Sequence, residues 1–318
     1  MQKKYYRLLL FLIPFFFSHP KTVISILINT IRSFKSVIKY SKLGYRILIP
    51  SSLLDTKKSN TLFILGSGPS VNKLTDLDWK YVKSQDSWGF NFWFCHNHVP
   101  NCYFAQSAIS NLKDDTHLDR MDILMAKILY DKKEQYKDVN FYLRGDGVNT
   151  FKFHKTKLGR FILNNHLNFH FLPELIISSK AKINSSVLIK KIYKSGFFSR
   201  TNSIQPIPKF GSTVTELISL GIIAGYSNIV LCGIDMNDGA HFYDHEDYYK
   251  KYRYLRVLSK INNNKNVHEH MNKKIRKNTV KDIIVNLNDL ALNNFDCQIT
   301  VSSTSSALYP DLDKFNFS

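Results

Sequence analysis

The stretch Thr61-Leu-Phe-Ile-Leu65, followed at once by Gly66-Ser67-Gly68-Pro69-Ser70, decides the fold: a short apolar strand runs straight into a glycine turn. Glycine allows backbone conformations and close approaches that a Cβ would block, and amides at the start of the next helix can point at phosphate. The combination predicts the opening unit of a nucleotide-binding α/β domain. Taken alone, Gly-x-Gly-Pro also serves as an ordinary tight turn.

Working outward, strands are expected over Ser87–Phe94, Cys102–Gln106 and near Val139–Leu143, with a helix from about Leu118 to Tyr130. Gly211-Ser212-Thr213 leads into Val214–Ala224, where Val214, Leu217, Ile218 and Ile222 recur at helical spacing. Asn228–Leu231 then reads as a buried strand closing on Cys232-Gly233-Ile234-Asp235. A helix over Val280–Asn293, a strand over Cys297–Val301 and a serine-rich turn Ser302–Ser306 complete the pattern. This alternation predicts an α/β, Rossmann-like domain over residues 56–318, with a mostly parallel sheet flanked by helices. Between Glu174 and Glu216 there are seven basic residues and no acid, which suggests a lid-like insert over about 150–209. A solvated basic loop is the alternative.

At 318 residues and 44% apolar content the chain can bury a substantial core. Its cysteines, Cys95, Cys102, Cys232 and Cys297, form neither a C-x-x-C pair nor a disulfide framework, which fits reduced thiols in a cytosolic setting. A net charge of +19 points to anionic partners or surroundings: nucleic acid, phospholipid, or phosphorylated and carboxylated sugars. Residues 1–50 carry nine Lys or Arg, and the first acid is Asp55. The apolar run Leu8–Phe17 is too short to span a bilayer, and apolar residues from Val23 to Ile38 repeat at helical spacing. Residues 1–55 are therefore expected to form a basic amphipathic helical arm on anionic lipid. A helix packed on the protein's own core or on a second copy is the competing reading. A secretory signal is the third, but no A-x-A-like cleavage site follows.

In their order, Gly66–Ser70 after the first strand, Asn91 after the second, Gly211-Ser212-Thr213 opening a helix, Gly233-Ile-Asp235 after the next strand and a histidine further on resemble the bacterial sialyltransferases of glycosyltransferase family 42. The resemblance extends to relatives that move other nonulosonic acids or Kdo from CMP donors, and it covers roughly residues 60–310. It implies that Gly66, Ser67, Gly68, Pro69, Ser70, Asn91, Ser212 and Thr213 approach the donor nucleotide, joined by Gln106, Gly211, Gly233 and Asp235; the alternative for Asp235 is to order its own turn or to contact the acceptor. Lys209 would meet the need for a cation before the second turn. It also implies that a histidine of Asn266-Val-His-Glu-His270 is the general base, His268 ahead of His270, and that Tyr243 steadies the departing phosphate. Ser67 stands where sialyltransferases have asparagine, Gly-Ser-Thr where they have Thr-Ser-Gly, and Asn237 near a second tyrosine, which widens the donor class. The implied partners are a CMP-activated acidic sugar, a lipopolysaccharide, lipooligosaccharide or capsule acceptor, and the inner face of a bacterial inner membrane, with a second copy of the chain left open.

Histidine suits a general base because its ordinary pKa lies near working pH. No cofactor is expected, since the CMP-sugar is a co-substrate, and no metal. His241 and His245 with Asp235, Asp238 and Asp244 form the alternative metal set, yet no HExxH order or DxD pair is present. A Rossmann oxidoreductase lacks its third glycine here, and a P-loop kinase its Gly-Lys-Ser/Thr. A nucleic-acid-binding protein would use the basic excess with Tyr and Phe, but the chain has no RNP, zinc-finger or basic-zipper signature.

Overall fold

In a computed structural model, the structure describes residues 2–42, 44–53, 56–106, 124–145, 160–161, 164, 169–177, 183–237, 241–251 and 278–317. Its centre is a nine-stranded sheet: β1 (Arg46–Ile47), β2 (Thr61–Leu65), β3 (Asp86–Phe90), β4 (Cys102–Gln106), β5 (Asn140–Gly145), β6 (Phe169–Ile177), β7 (Ile207–Phe210), β8 (Asn228–Cys232) and β9 (Gln298–Val301). The order across it is β1-β6-β5-β4-β3-β2-β8-β9, with β7 paired to β6, and every strand pairing is parallel.

A sheet of this kind is buried on both faces, and β2 shows how the sequence meets that demand. All five of its side chains are buried. They alternate with period two, Leu62 and Ile64 entering one apolar cluster and Phe63 and Leu65 the other. The first cluster is closed by the helices Ser185–Lys194, Thr213–Ala224 and Val280–Phe295. The second is closed by α3 (Asp76–Ser84), through Val82, and by aromatic side chains including Trp93, Phe94 and Tyr136.

Helix ends follow their sequence signals. Thr75 with Asp78 and Thr279 with Asp282 form capping boxes, and Ser212 accepts a hydrogen bond from the Thr215 amide. Helix Thr213–Ala224 ends at Gly225, whose φ of 75° is left-handed and open to glycine at no steric cost.

The N-terminal segment forms two helices, α1 (Gln2–Ser18) and α2 (Pro20–Lys42). One face of each is part of the core: Leu8, Leu12, Val23 and Ile26 are buried in the same cluster as the sheet. α2 lies along the edge of β6, where Tyr40 stacks on Phe171 at 4.5 Å and the Asn29 amide donates to the Ile176 carbonyl at 3.3 Å.

Residues 150–209, expected as a covering insert, carry part of the framework. β6 pairs with β5 through Gly145↔Pro173 and then with β7 from Glu174↔Ile207 onward, while Leu188, Ile189 and Ile192 of the intervening helix are buried. The prolines hid these strands: Pro173 and Pro208 have no N–H for a ladder and usually mark a strand edge. Pro173 sits where β6 changes partner.

Because α1 is a layer of the core, Leu8→Ala should lower the unfolding free energy of the whole domain by about 2–5 kcal/mol. Urea denaturation followed by tryptophan fluorescence checks this, since all three tryptophans lie in or beside the second cluster or β3.

Candidate functional site

Parallel strands place all their carboxyl ends on one side, and ligands of open α/β sheets bind there, where the strand order reverses. From β2 the chain builds outward through β3, β4, β5 and β6, then crosses by way of β7 to β8 on the other side of β2. The reversal is the crevice between β2 and β8. Gly66–Ser70 leaves the first of these strands and Gly233–Asp235 the second.

The two turns are locked into each other. The Gly66 amide donates to the Cys232 carbonyl and the Gly68 amide to the Gly233 carbonyl, each at 2.7 Å. Asp235 closes the lock, its Oδ2 accepting from the Ser70 amide at 2.8 Å and its Oδ1 from the Ser70 hydroxyl at 2.5 Å. A Cβ on Gly66 would collide with Ile234 and the Gly233 carbonyl, and one on Gly68 with the Asp235 carboxylate. Gly233 needs its glycine for a φ of 68°.

This revises the expected role of the first turn. The amides of Gly66, Gly68 and Ser70 are spent on Cys232, Gly233 and Asp235 at the end of β8, and Pro69 has none, so the start of the following helical turn does not point free amides at phosphate. The Asp235 carboxylate occupies the anion position itself. Ser67 keeps a half-buried side chain at the rim, and its carbonyl accepts from the Phe242 amide at 2.8 Å.

That last bond brings Tyr243 to the crevice. Tyr243 is buried, with its ring stacked on His241 at 4.8 Å and edge-on to Phe92 at 5.7 Å, beside Asn91. Asn91 closes β3 in a left-handed conformation, φ 56°, and is exposed at the same edge. Left-handed backbone is tolerated by asparagine better than by most residues. The Tyr103 hydroxyl donates to its carbonyl and holds it there. Gln106 ends β4 at the same edge. Asn237, outside the crevice, donates to the Ser305 carbonyl at 2.5 Å.

Gly211, Ser212, Thr213 and Lys209 belong to a second centre, at the carboxyl ends of β5, β6 and β7, three to four strand spacings or roughly 14–19 Å from β2. Its core is a buried charge network that the sequence did not reveal. Arg144 reaches Glu216 at 2.6 Å, Glu174 at 3.4 Å and the Thr213 hydroxyl at 2.9 Å, and Lys209 pairs with Glu174 at 2.9 Å. Arg144, Glu174 and Glu216 have fully buried side chains. Thr213 and Lys209 are thus already engaged by the protein, as is Ser212 by its cap. The available signal was Glu216, a lone acid in an apolar helix, but its partners stand 42 and 72 residues away.

Burial pushes the Glu216 carboxyl up to about 8; Arg144 opposes this and Glu174 adds to it. At Glu174 burial acts in the same upward direction, but Lys209 and Arg144 outweigh it and hold the group below its ordinary value. Glu174 Oε2 and Glu216 Oε1 are buried with no hydrogen-bond partner among the described residues, a setting that favours the protonated form of Glu216.

His268 and His270 lie outside the described residues, as does Asp238. Among the described residues no three His, Cys, Asp or Glu side chains come together closely enough to hold a metal ion. Asp244 Oδ2 accepts from the His241 amide at 2.7 Å, and His245 faces Asp247 at 3.3 Å. His96 and His98 pack against Trp79, burial lowering them to about 3 and about 4, so both are neutral core side chains.

No family model matches the chain, and no curated protein matches it. Among solved structures it is similar to the monofunctional alpha-2,3-sialyltransferase Cst-I from Campylobacter jejuni, at 15% identity over 82% of each chain with a TM-score of 0.43. It is also similar to the sialyltransferase CstII from Campylobacter jejuni, in complex with a substrate analogue, cytidine-5'-monophosphate, at 12% identity over 81% of this chain and 85% of that one, TM-score 0.42.

Asp235→Ala leaves a buried Ser70 amide and hydroxyl unpaired and should cost about 1.5–3 kcal/mol of stability, read by chemical denaturation. The network sets a pH dependence of definite sign. Because the folded state holds the Glu216 proton more tightly than the unfolded chain, its contribution is full below about pH 4.5 and is lost as pH rises through about 8. Glu216→Gln should flatten the fall in stability between pH 5 and pH 8.5, measured by urea titrations at intervals across that range.

Proposed function

We propose that the chain is a glycosyltransferase that moves a sialic-acid-like sugar, a nonulosonic acid or Kdo, from a CMP donor to a surface glycan such as lipopolysaccharide, lipooligosaccharide or capsule. The observation that carries this reading is the gathering of Gly66–Ser70, Asn91, Gln106, Gly233–Asp235 and Tyr243 at one sheet edge, around the β2/β8 crevice. Of these, Gly66–Ser70, Asn91 and Gly233–Asp235 also carry the sequence resemblance, with Gly211–Thr213 between them in the chain. An extended nucleotide sugar can reach from this crevice to the Thr213 turn.

Transfer from a CMP donor asks for three things. The nucleotide needs polar groups in a fixed frame, which Ser67 and the carboxamides of Asn91 and Gln106 supply in this reading. The departing phosphate needs donors that do not have to reorganise as charge develops. Tyr243 fits that task, because its backbone is tied to the first turn through Phe242 and its ring is packed against Phe92. The second turn, Gly211–Thr213, is held at the start of helix Thr213–Ala224 by Arg144 and the Ser212 cap, where the helix dipole favours negative charge. The acceptor hydroxyl needs a base, assigned to His268 with His270 second. Single displacement gives inversion, and no step calls for a metal.

A calorimetric titration with CMP in the absence of added metal, alongside CDP, UDP and NAD, should show selective CMP binding. Binding of NAD, or of RNA alone, with none to CMP would overturn the reading. His268→Ala should lower transfer by roughly 10²–10⁴-fold while leaving CMP affinity nearly unchanged. Turnover like that of the unaltered protein would remove His268 as the base.

A further inference from the structure

One face of the α1–α2 hairpin is core, and the other face has no partner among the described residues. Of the sixteen large apolar side chains that are exposed among the described residues, eleven lie on these two helices. They are not scattered. At about 100° per residue, Leu9, Ile13, Phe16 and Phe17 fall within one arc of about 120° on α1, and Ile24 and Ile31 within a matching arc on α2. Phe17, at the tip, is 88% exposed.

The charge beside this face has one sign. Arg7, Lys21, Arg32, Lys35 and Lys42 are exposed, and they fall on or beside the flank of the same arcs. There is no acid anywhere in the first fifty residues. An apolar face bordered only by cations is complementary to an anionic lipid surface, where acyl chains take the apolar residues and headgroups the Lys and Arg. A second copy of the same hairpin would instead face these cations with its own. Among the described residues no helix is long and apolar enough to cross a membrane, so the geometry is that of a surface hairpin.

The packing also fixes which way the hairpin points. Between Asn29, on Ile176, and Tyr40, on Phe171, α2 advances eleven residues, about 16 Å. β6 covers the same interval in five residues, also about 16 Å, in the opposite direction. The two therefore run antiparallel and side by side, and the first nine residues of α2 continue about 13 Å beyond Ile176, past the carboxyl end of β6. α1 returns alongside, with Tyr5 edge-on to Phe34 and Lys4 hydrogen-bonded to Ser199 and Gln205. The tip, Phe16 to Ile24, thus lies at the sheet edge that carries the Gly66–Ser70 and Gly233–Asp235 turns.

We infer that the α1–α2 hairpin docks the protein on an anionic membrane surface, burying its tip at the headgroup boundary and holding the carboxyl edge of the sheet toward the lipid. The docking itself does not depend on the transferase reading, since it is read out without donor or acceptor.

The test uses the full chain with vesicles of phosphatidylcholine alone and of phosphatidylcholine with 30% phosphatidylglycerol. Pelleting with the anionic vesicles, weakened at high salt, is expected. Ile13→Asp/Phe17→Asp should reduce it at least tenfold while the midpoint of urea unfolding stays unchanged, because both side chains are exposed. Orientation is read with Phe17→Trp, whose emission should be quenched by brominated anionic lipid, whereas that of Leu292→Trp, on an exposed position of helix Val280–Phe295, should not. No pelleting with anionic vesicles overturns the proposal, as does equal quenching at the two positions. So does a stable dimer in sedimentation that the double substitution dissociates without any vesicle binding. CMP binding with no vesicle binding would sink the docking proposal and leave the transferase reading standing; the reverse result would do the opposite.

Discussion

Everything at the carboxyl edge depends on the bond set between the turns after β2 and β8. Two backbone bonds and one aspartate weld strands that neighbour each other in space but are separated by more than 160 residues of chain. The weld fixes the floor of the crevice at the point where strand order reverses. Its cost is chemical: the amides of Gly66, Gly68 and Ser70 are used internally, and the carboxylate that the Ser70 amide meets is Asp235's own. In the proposed reading a donor is therefore met from the rim of this crevice, where Ser67, Asn91 and Tyr243 stand, instead of by a glycine-rich cradle. That is a physical difference from dinucleotide-binding turns, in which free amides at a helix start hold the pyrophosphate.

The second centre behaves differently. Around Arg144 two carboxyl groups, Glu174 and Glu216, share a buried site, and removing one partner of such a network strands the rest. What it fixes is the start of helix Thr213–Ala224. This helix leaves the Arg144 network and packs over β2, where Gly221 fits against Leu62 and Ile229. One rigid element therefore joins the Gly211–Thr213 turn to the sheet beneath the crevice.

Much of the sheet was legible in the sequence. β2, β8 and helix Thr213–Ala224 are compact apolar segments punctuated by glycine, and their bounds fall within a residue or two of expectation. β6 and β7 were not, because Pro173 and Pro208 break the pattern of a strand, and the pairing that excuses them is tertiary. At the site, the positions of Gly66, Gly68 and Gly233 were legible but the reason for them was not, whereas Asp235 was open to the turn-ordering role it has. The sequence suggests glycine for a ligand's approach; the structure uses it for the approach of one turn to another. Glu174 and Glu216 appeared only as the borders of an acid-free stretch. Their partnership through Arg144 is a property of strand order. The N-terminal helices satisfy two readings at once, since the same amphipathic spacing buries Leu8 and Val23 and exposes Phe17 and Ile24.

The central claim is that a CMP-linked donor binds at the β2/β8 edge. Amide hydrogen exchange with and without CMP tests it most directly, because it reports location as well as binding. The account predicts new protection in peptides covering Gly66–Ser70, Asn91, Gly211–Thr213 and Tyr243. Protection confined to the opposite edge, at Lys57, Asn101 and Tyr226 around the amino ends of β3 and β4, or none at all at saturating CMP, would contradict it.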